Sequence, residues 1–117
     1  MIVRNWKQCP SSVSHGYMIQ RDILTKKDPA NPNKEGAIMK HIESFSRAYL
    51  ESLCASTPTT HNDIQEVFYI VSGKGTFIAD DKETQEQFFI RNSTKEELYF
   101  HATVNEISYW GISKSWQ

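Results

Sequence analysis

Pro58-Thr59-Thr60-His61-Asn62-Asp63-Ile64-Gln65-Glu66-Val67-Phe68-Tyr69-Ile70-Val71-Ser72-Gly73-Lys74-Gly75 is the stretch from which the rest of the chain can be read. Glu66 to Val71 is dense in β-branched and aromatic residues, the side chains that pack best on a pleated surface. The run ends in Ser72-Gly73-Lys74-Gly75, whose glycines supply the positive φ that a tight hairpin needs. A strand, a tight turn and an antiparallel return over Thr76 to Ala79 follow as expectations.

The flanking sequence reads in the same way. Tyr17 to Leu24, Ile38 to Phe45 and Ala48 to Cys54 precede the stretch as strand candidates. Phe88 to Asn92, Leu98 to Val104 and Ile107 to Ser113 follow it. Polar turns fall between them at Asp80-Asp81-Lys82-Glu83, Ser93-Thr94-Lys95-Glu96-Glu97 and Asn105-Glu106. Ser44 to Leu53 can be drawn as a helix, but its strand-forming flanks favour strand, turn, strand. Lys26 to Gly36 holds two prolines, two asparagines and a glycine and reads as a loop. It does not divide two domains, because the piece before it is too short for its own core. Short strands joined by turns predict one all-β domain over residues 1–117, a sandwich or barrel.

The quoted stretch resembles the first motif of the cupin superfamily, which runs H-x-H, three or four residues, E, six residues, G. Six residues separate Glu66 from Gly73, and four separate His61 from Glu66. His61 thus takes the place of the second histidine, and Thr59 stands where the first would be. The resemblance spans about Ile38 to Ile112 and implies a double-stranded β-helix barrel. Alternate residues of a strand share a face, so the motif aims its imidazoles into the barrel. Imidazoles and a carboxylate hold iron, manganese, nickel or zinc.

The family's second motif, P-x-G, two residues, H, three residues, N, has two registers here. One uses His101 and Asn105, with Glu96 and Leu98 in the proline and glycine positions. The other matches more of its surroundings and uses Asn92, which puts Phe88 at the histidine position. That register leaves Thr84-Gln85-Glu86-Gln87 where a longer segment is usual, so the barrel is shortened there or lacks a loop.

The resemblance therefore nominates His61, Glu66 and His101 as ligands of one divalent metal, and Thr59, Asp63, Phe68 and Phe88 as pocket-lining residues. Threonine and phenylalanine replace two of four expected ligands, and first-row metals normally take three or four. The opposing reading makes His61 and Glu66 a polar remnant inside a barrel without metal. Asp63, two residues after His61, is a substitute ligand or an ordinary turn residue. If Phe100 and Ala102 face one way, His101 faces the other with Tyr99 and Thr103; there it either completes a site with His61 and Glu66 or is a satisfied or solvent-facing histidine. His15, before Gly16 in a turn-like pair, and His41 lack ligand spacing and read as structural.

Composition narrows the function classes. Thirteen basic against fourteen acidic residues give a net charge of -1, with no basic excess to hold a phosphate backbone. Val67 to Val71 is the longest apolar run and is too short to span a bilayer. The first residues lack the apolar stretch of a secretion signal, so a cytoplasmic protein is expected. Cys9 and Cys54 form no CxxC pair and are expected as free thiols. No G-x-S-x-G or phosphate loop is present. Three classes stay open: a barrel that binds a small molecule, a metal-dependent dioxygenase, isomerase or lyase acting on a small acid or sugar, and a non-catalytic scaffold. The resemblance also implies a homodimer paired through edge strands.

Overall fold

A computed structural model describes residues 1–59, 62–73, 75–79, 82–84, 88–94, 98–102 and 106–115. Ten strands account for most of them: β1 (Ser11–Ser14), β2 (Met18–Lys26), β3 (Ala37–Met39), β4 (Ile42–Leu50), β5 (Asn62–Ser72), β6 (Gly75–Ala79), β7 (Lys82–Thr84), β8 (Phe88–Thr94), β9 (Leu98–Ala102) and β10 (Ile107–Ser115). One 3-10 turn, Trp6–Gln8, precedes them, and no α-helix occurs among the described residues. The larger sheet runs β1-β2-β4-β10-β5-β8, with the short β3 added parallel to β2. The smaller sheet runs β7-β6-β9.

The two sheets meet through period-two alternation. On β4, Ser46, Ala48 and Leu50 are buried, while Phe45, Arg47 and Tyr49 are only partly covered. On β10, Ile107, Tyr109 and Gly111 point the same way as those buried residues. The smaller sheet contributes Phe100 and Ala102 from β9. The Phe100 ring lies 5.6 Å from that of Phe68 and 5.3 Å from that of Tyr109. These tilted and edge-on contacts suit the quadrupoles of the rings, and they fasten one sheet over the other. Met18, Leu50, Ile70 and Ile107 complete the core at that end.

The linker between β4 and β5 closes the barrel. Ser56 N–H donates to the Phe100 carbonyl at 2.8 Å, and Phe100 N–H donates to Ser56 Oγ at 2.8 Å. Ala102 N–H donates to the Cys54 carbonyl at 2.9 Å. One residue further, Thr57 N–H donates to the His15 carbonyl at 2.8 Å. The linker thus joins the edge of β9 to the β1–β2 turn, and the buried Ser56 has its hydroxyl partnered.

Expectations from the sequence are corrected in β4, after Gly73 and at β7, and β1 is a strand the sequence did not announce. Ile42–Leu50 is one strand, not strand, turn, strand. Its residues pair with β2 on one side and β10 on the other, and ladders on both edges override the local polarity of Ser46-Arg47. Residues after Gly73 do not return beside β5, because β6 pairs with β7 and β9 in the other sheet. Gly73, at φ +88°, is a corner between sheets, and a Cβ there would overlap the carbonyl oxygen of Glu106. Lys82 and Glu83 begin β7, where a turn was expected. Ser11–Ser14, which has no apolar alternation to announce it, pairs with β2 as β1.

Both cysteines are free thiols, Cys9 buried and Cys54 partly so. No described helix is long and apolar enough to cross a membrane.

Candidate functional site

The inward residues of β4, β10 and β5 form rungs whose chemistry changes along the barrel. Leu50 pairs with Ile107. The next rung is Ala48, Tyr109, Ile70, and the next is Ser46, Gly111, Phe68. The last is Ser44, Ser113, Glu66. A cavity of about 200 Å³ opens over the last two rungs and is lined by Ser44, Ser46, Glu66, Phe68 and Ser113. Gly111 leaves room above the Phe68 ring, since its missing Cβ would stand 3.8 Å from Phe68 Cδ1. Ser44 and Ser113 share a hydrogen bond of 2.8 Å between their hydroxyls.

Two further polar groups reach the cavity from β2 and the turn before it. Gln20 accepts from Ser14 Oγ at 3.0 Å and donates to Asp22 Oδ1 at 2.8 Å, which fixes its amide at the rim. His15 lines the cavity from the β1–β2 turn. His15 and Gly16 both have positive φ, 46° and 86°, within the three-residue connection between the paired Ser14 and Met18. A Cβ on Gly16 would stand 2.6 Å from Thr57 Oγ1, so the turn sits hard against the linker that holds the His15 carbonyl.

Tyr109 forms the inner wall. Burial, and after it the negative charge of Glu66, push its phenol well above the ordinary tyrosine value. The hydroxyl therefore stays protonated and donates to Met18 Sδ at 2.9 Å.

Of the residues nominated from the sequence, Glu66 and Phe68 line this cavity. His61 lies outside the described residues. Thr59 is half-buried and is not part of the lining. Asp63 lies near the start of β5, and Phe88 lies on β8 opposite Tyr69. His101 is exposed between the buried Phe100 and Ala102, pairing with Thr76 of β6. It thus points away from the core, and the structure does not bring it to Glu66. His15, which the sequence reads as structural, also lines the cavity, as do Gln20, Ser44, Ser46 and Ser113, which no motif marks. The His15-Gly16 turn is visible locally, but its place on the same cavity as Glu66 depends on pairing between distant strands.

Among the described residues, no group of three or more His, Cys, Asp and Glu side chains could hold a metal ion. Glu66 and His15 are two ligand types on one cavity, short of the three or four that a first-row metal takes from protein. By themselves they do not fit a metal centre.

No protein-family model matches the chain, and no curated protein matches it. Solved structures do resemble it. A predicted oxalate decarboxylase from Thermotoga maritima superposes with a TM-score of 0.75 at 19% identity, over 98% of this chain and 99% of that one. A bacterial pirin from Escherichia coli, in complex with nickel(II), gives 0.73 at 12% identity over 96% of this chain and 50% of that one. The Cnp3 cupin domain of Schizosaccharomyces pombe gives 0.70 at 8% identity, over 97% and 74%. Together with the two-sheet β architecture, these likenesses establish that the chain has the cupin fold.

Proposed function

We propose that the barrel binds a small, neutral, hydroxylated molecule in the cavity above Phe68, without needing a metal. The observation that carries the reading is the donor set. Three serine hydroxyls, the Gln20 amide and the Glu66 carboxylate converge, and no lysine or arginine is among the described lining residues. A carboxylate favours ligand hydroxyls that donate to it and repels a small acid. The volume, about 200 Å³, lies below that of a drug-sized site, which suits a compact ligand. Phe68 and Ile64 supply an apolar wall for the face of a ring.

The test is thermal unfolding of the protein with a panel of neutral sugars and polyols beside a panel of small carboxylates. A sugar or polyol should raise the melting temperature, and Glu66→Gln should weaken the rise. Stabilisation by carboxylates alone would overturn the reading. Metal analysis of the parent beside a His61→Ala, Glu66→Ala double variant separates this reading from a metal-dependent enzyme. Near-stoichiometric iron, manganese, nickel or zinc, lost in the double variant, would replace the metal-free reading with the enzymatic one.

A further inference from the structure

A second cavity, of about 340 Å³, lies on the outer face of the larger sheet and is lined by Trp6, Arg21, Arg47, Tyr49 and Glu106. Arg21 and Arg47 are directly opposite one another on β2 and β4. Like charges in that relation are destabilising unless something offsets them. Neither guanidinium forms an ion pair among the described residues. Arg21 donates to the carbonyls of Lys7 and Cys9. Arg47 donates to Ser108 Oγ at 3.0 Å, and its Nη1 is buried without a hydrogen-bond partner. Burial lowers the Arg47 pKa from the ordinary arginine value, yet at neutral pH the guanidinium stays charged.

The walls are aromatic. The Arg47 guanidinium lies 5.1 Å from the ring centre of Trp6 and 5.1 Å from that of Trp110. Trp110 is held in turn by Phe45, stacked at 5.1 Å. Lys7 adds a third cation, 5.7 Å from the Trp6 ring centre. Glu106 is exposed and is the one acidic residue among the described lining.

From this juxtaposition we propose that the outer cavity is a binding site for a small aromatic carboxylate, separate from the barrel cavity on the other face of the sheet. The carboxylate offsets the Arg21–Arg47 repulsion. A guanidinium fork suits a planar carboxylate in a way an ammonium does not. The indole of Trp6 and the ring of Tyr49 cover the flat body of the ligand.

Tryptophan fluorescence reads the site directly, because Trp6 and Trp110 flank Arg47. Titrating the full chain with benzoate should give a saturable change. Benzamide, its neutral counterpart, should bind at least about tenfold more weakly. Arg47→Lys keeps the charge but removes the fork, and should weaken benzoate by about tenfold. Arg21→Lys should weaken it too and carries the test if Arg47→Lys does not fold. Equal binding of benzoate and benzamide, or benzoate binding untouched by both lysine variants, would overturn the proposal; the latter would place benzoate in the barrel cavity. No response to benzoate, with a self-associated parent that Arg47→Lys dissociates, would overturn it in favour of a second copy of the chain.

Discussion

The two ends of the barrel interior are built from the same three strands, yet they do opposite things. At one end Leu50, Ile107, Ala48, Tyr109 and Ile70 exclude water, with Phe100 of the smaller sheet pressed across them. At the other, Ser44, Ser113 and Glu66 leave a polar space. The change falls at the rung of Ser46, Gly111 and Phe68, where a missing side chain meets a ring. The apolar packing and the polar cavity are thereby separated along one axis: the dry end holds the sheets together, and the open end is free to vary in chemistry.

That separation can be broken most severely at the dry end. Phe100→Ala removes the ring that touches both Phe68 and Tyr109 and should cost about 3–5 kcal/mol, read as a drop in the urea midpoint. A loss near that of an exposed substitution would mean that the smaller sheet does not depend on this contact.

Tyr109 stands at the boundary, and its response to pH sharpens the comparison. Its phenol is raised in the folded protein above the ordinary value of 10.0, by burial and then by Glu66. As pH climbs past that value the unfolded chain ionises first, so stability that is full below it falls as pH rises. Tyr109→Phe should flatten the decline in urea midpoint on the alkaline side. An equally steep decline in the variant would assign the effect to other groups.

At the open end the expected cost is much smaller. Ser44→Ala with Ser113→Ala removes both partners of one hydroxyl pair and should change stability by about 1 kcal/mol or less in urea unfolding. The same double variant should lose affinity for any hydroxylated ligand of the cavity. A stability loss rivalling that of Phe100→Ala would show that the polar rung is structural and would remove the contrast between the ends.

The sequence exposes this organisation unevenly, and the reason is locality. Strand character at Glu66–Val71 and at Leu98–Ala102 is carried by side chains within each segment, so it could be read directly. The outward aim of His101 follows from the same alternation, once Phe100 and Ala102 are taken as inward. The corner at Gly73 could not be read, because a glycine turn looks the same whether the chain returns to its own sheet or enters another. What separates the two is the carbonyl of Glu106, which lies far along the chain. The continuous β4 was hidden by Ser46-Arg47, a polar pair that reads as a turn. One of these residues faces the cavity, and the other reaches the outer face through the Trp6–Trp110 corner. His15 shows the same limit. Its turn is local, but its place on the cavity that Glu66 also lines depends on β2 reaching β5 through β4 and β10.

Gly111 offers the smallest and most discriminating change. Its backbone lacks the positive φ that would demand glycine, and a Cβ would meet Tyr109 Cε2 at 3.5 Å and Phe68 at 3.8 Å, ordinary contact distances. Alanine there restricts the unfolded chain and adds contact with two rings, so Gly111→Ala should leave stability unchanged or raise it by about 0.5 kcal/mol. The added methyl occupies space at the floor of the cavity, where a ligand ring would rest on Phe68. Affinity for a hydroxylated ring should therefore fall while the urea midpoint holds or rises, a split that no purely structural role for Gly111 produces. Unchanged affinity would place the ligand higher, toward His15 and Gln20. A fall in both would mean that the Ser46–Gly111–Phe68 rung belongs to the dry end, and that the boundary between the two halves lies one rung further out.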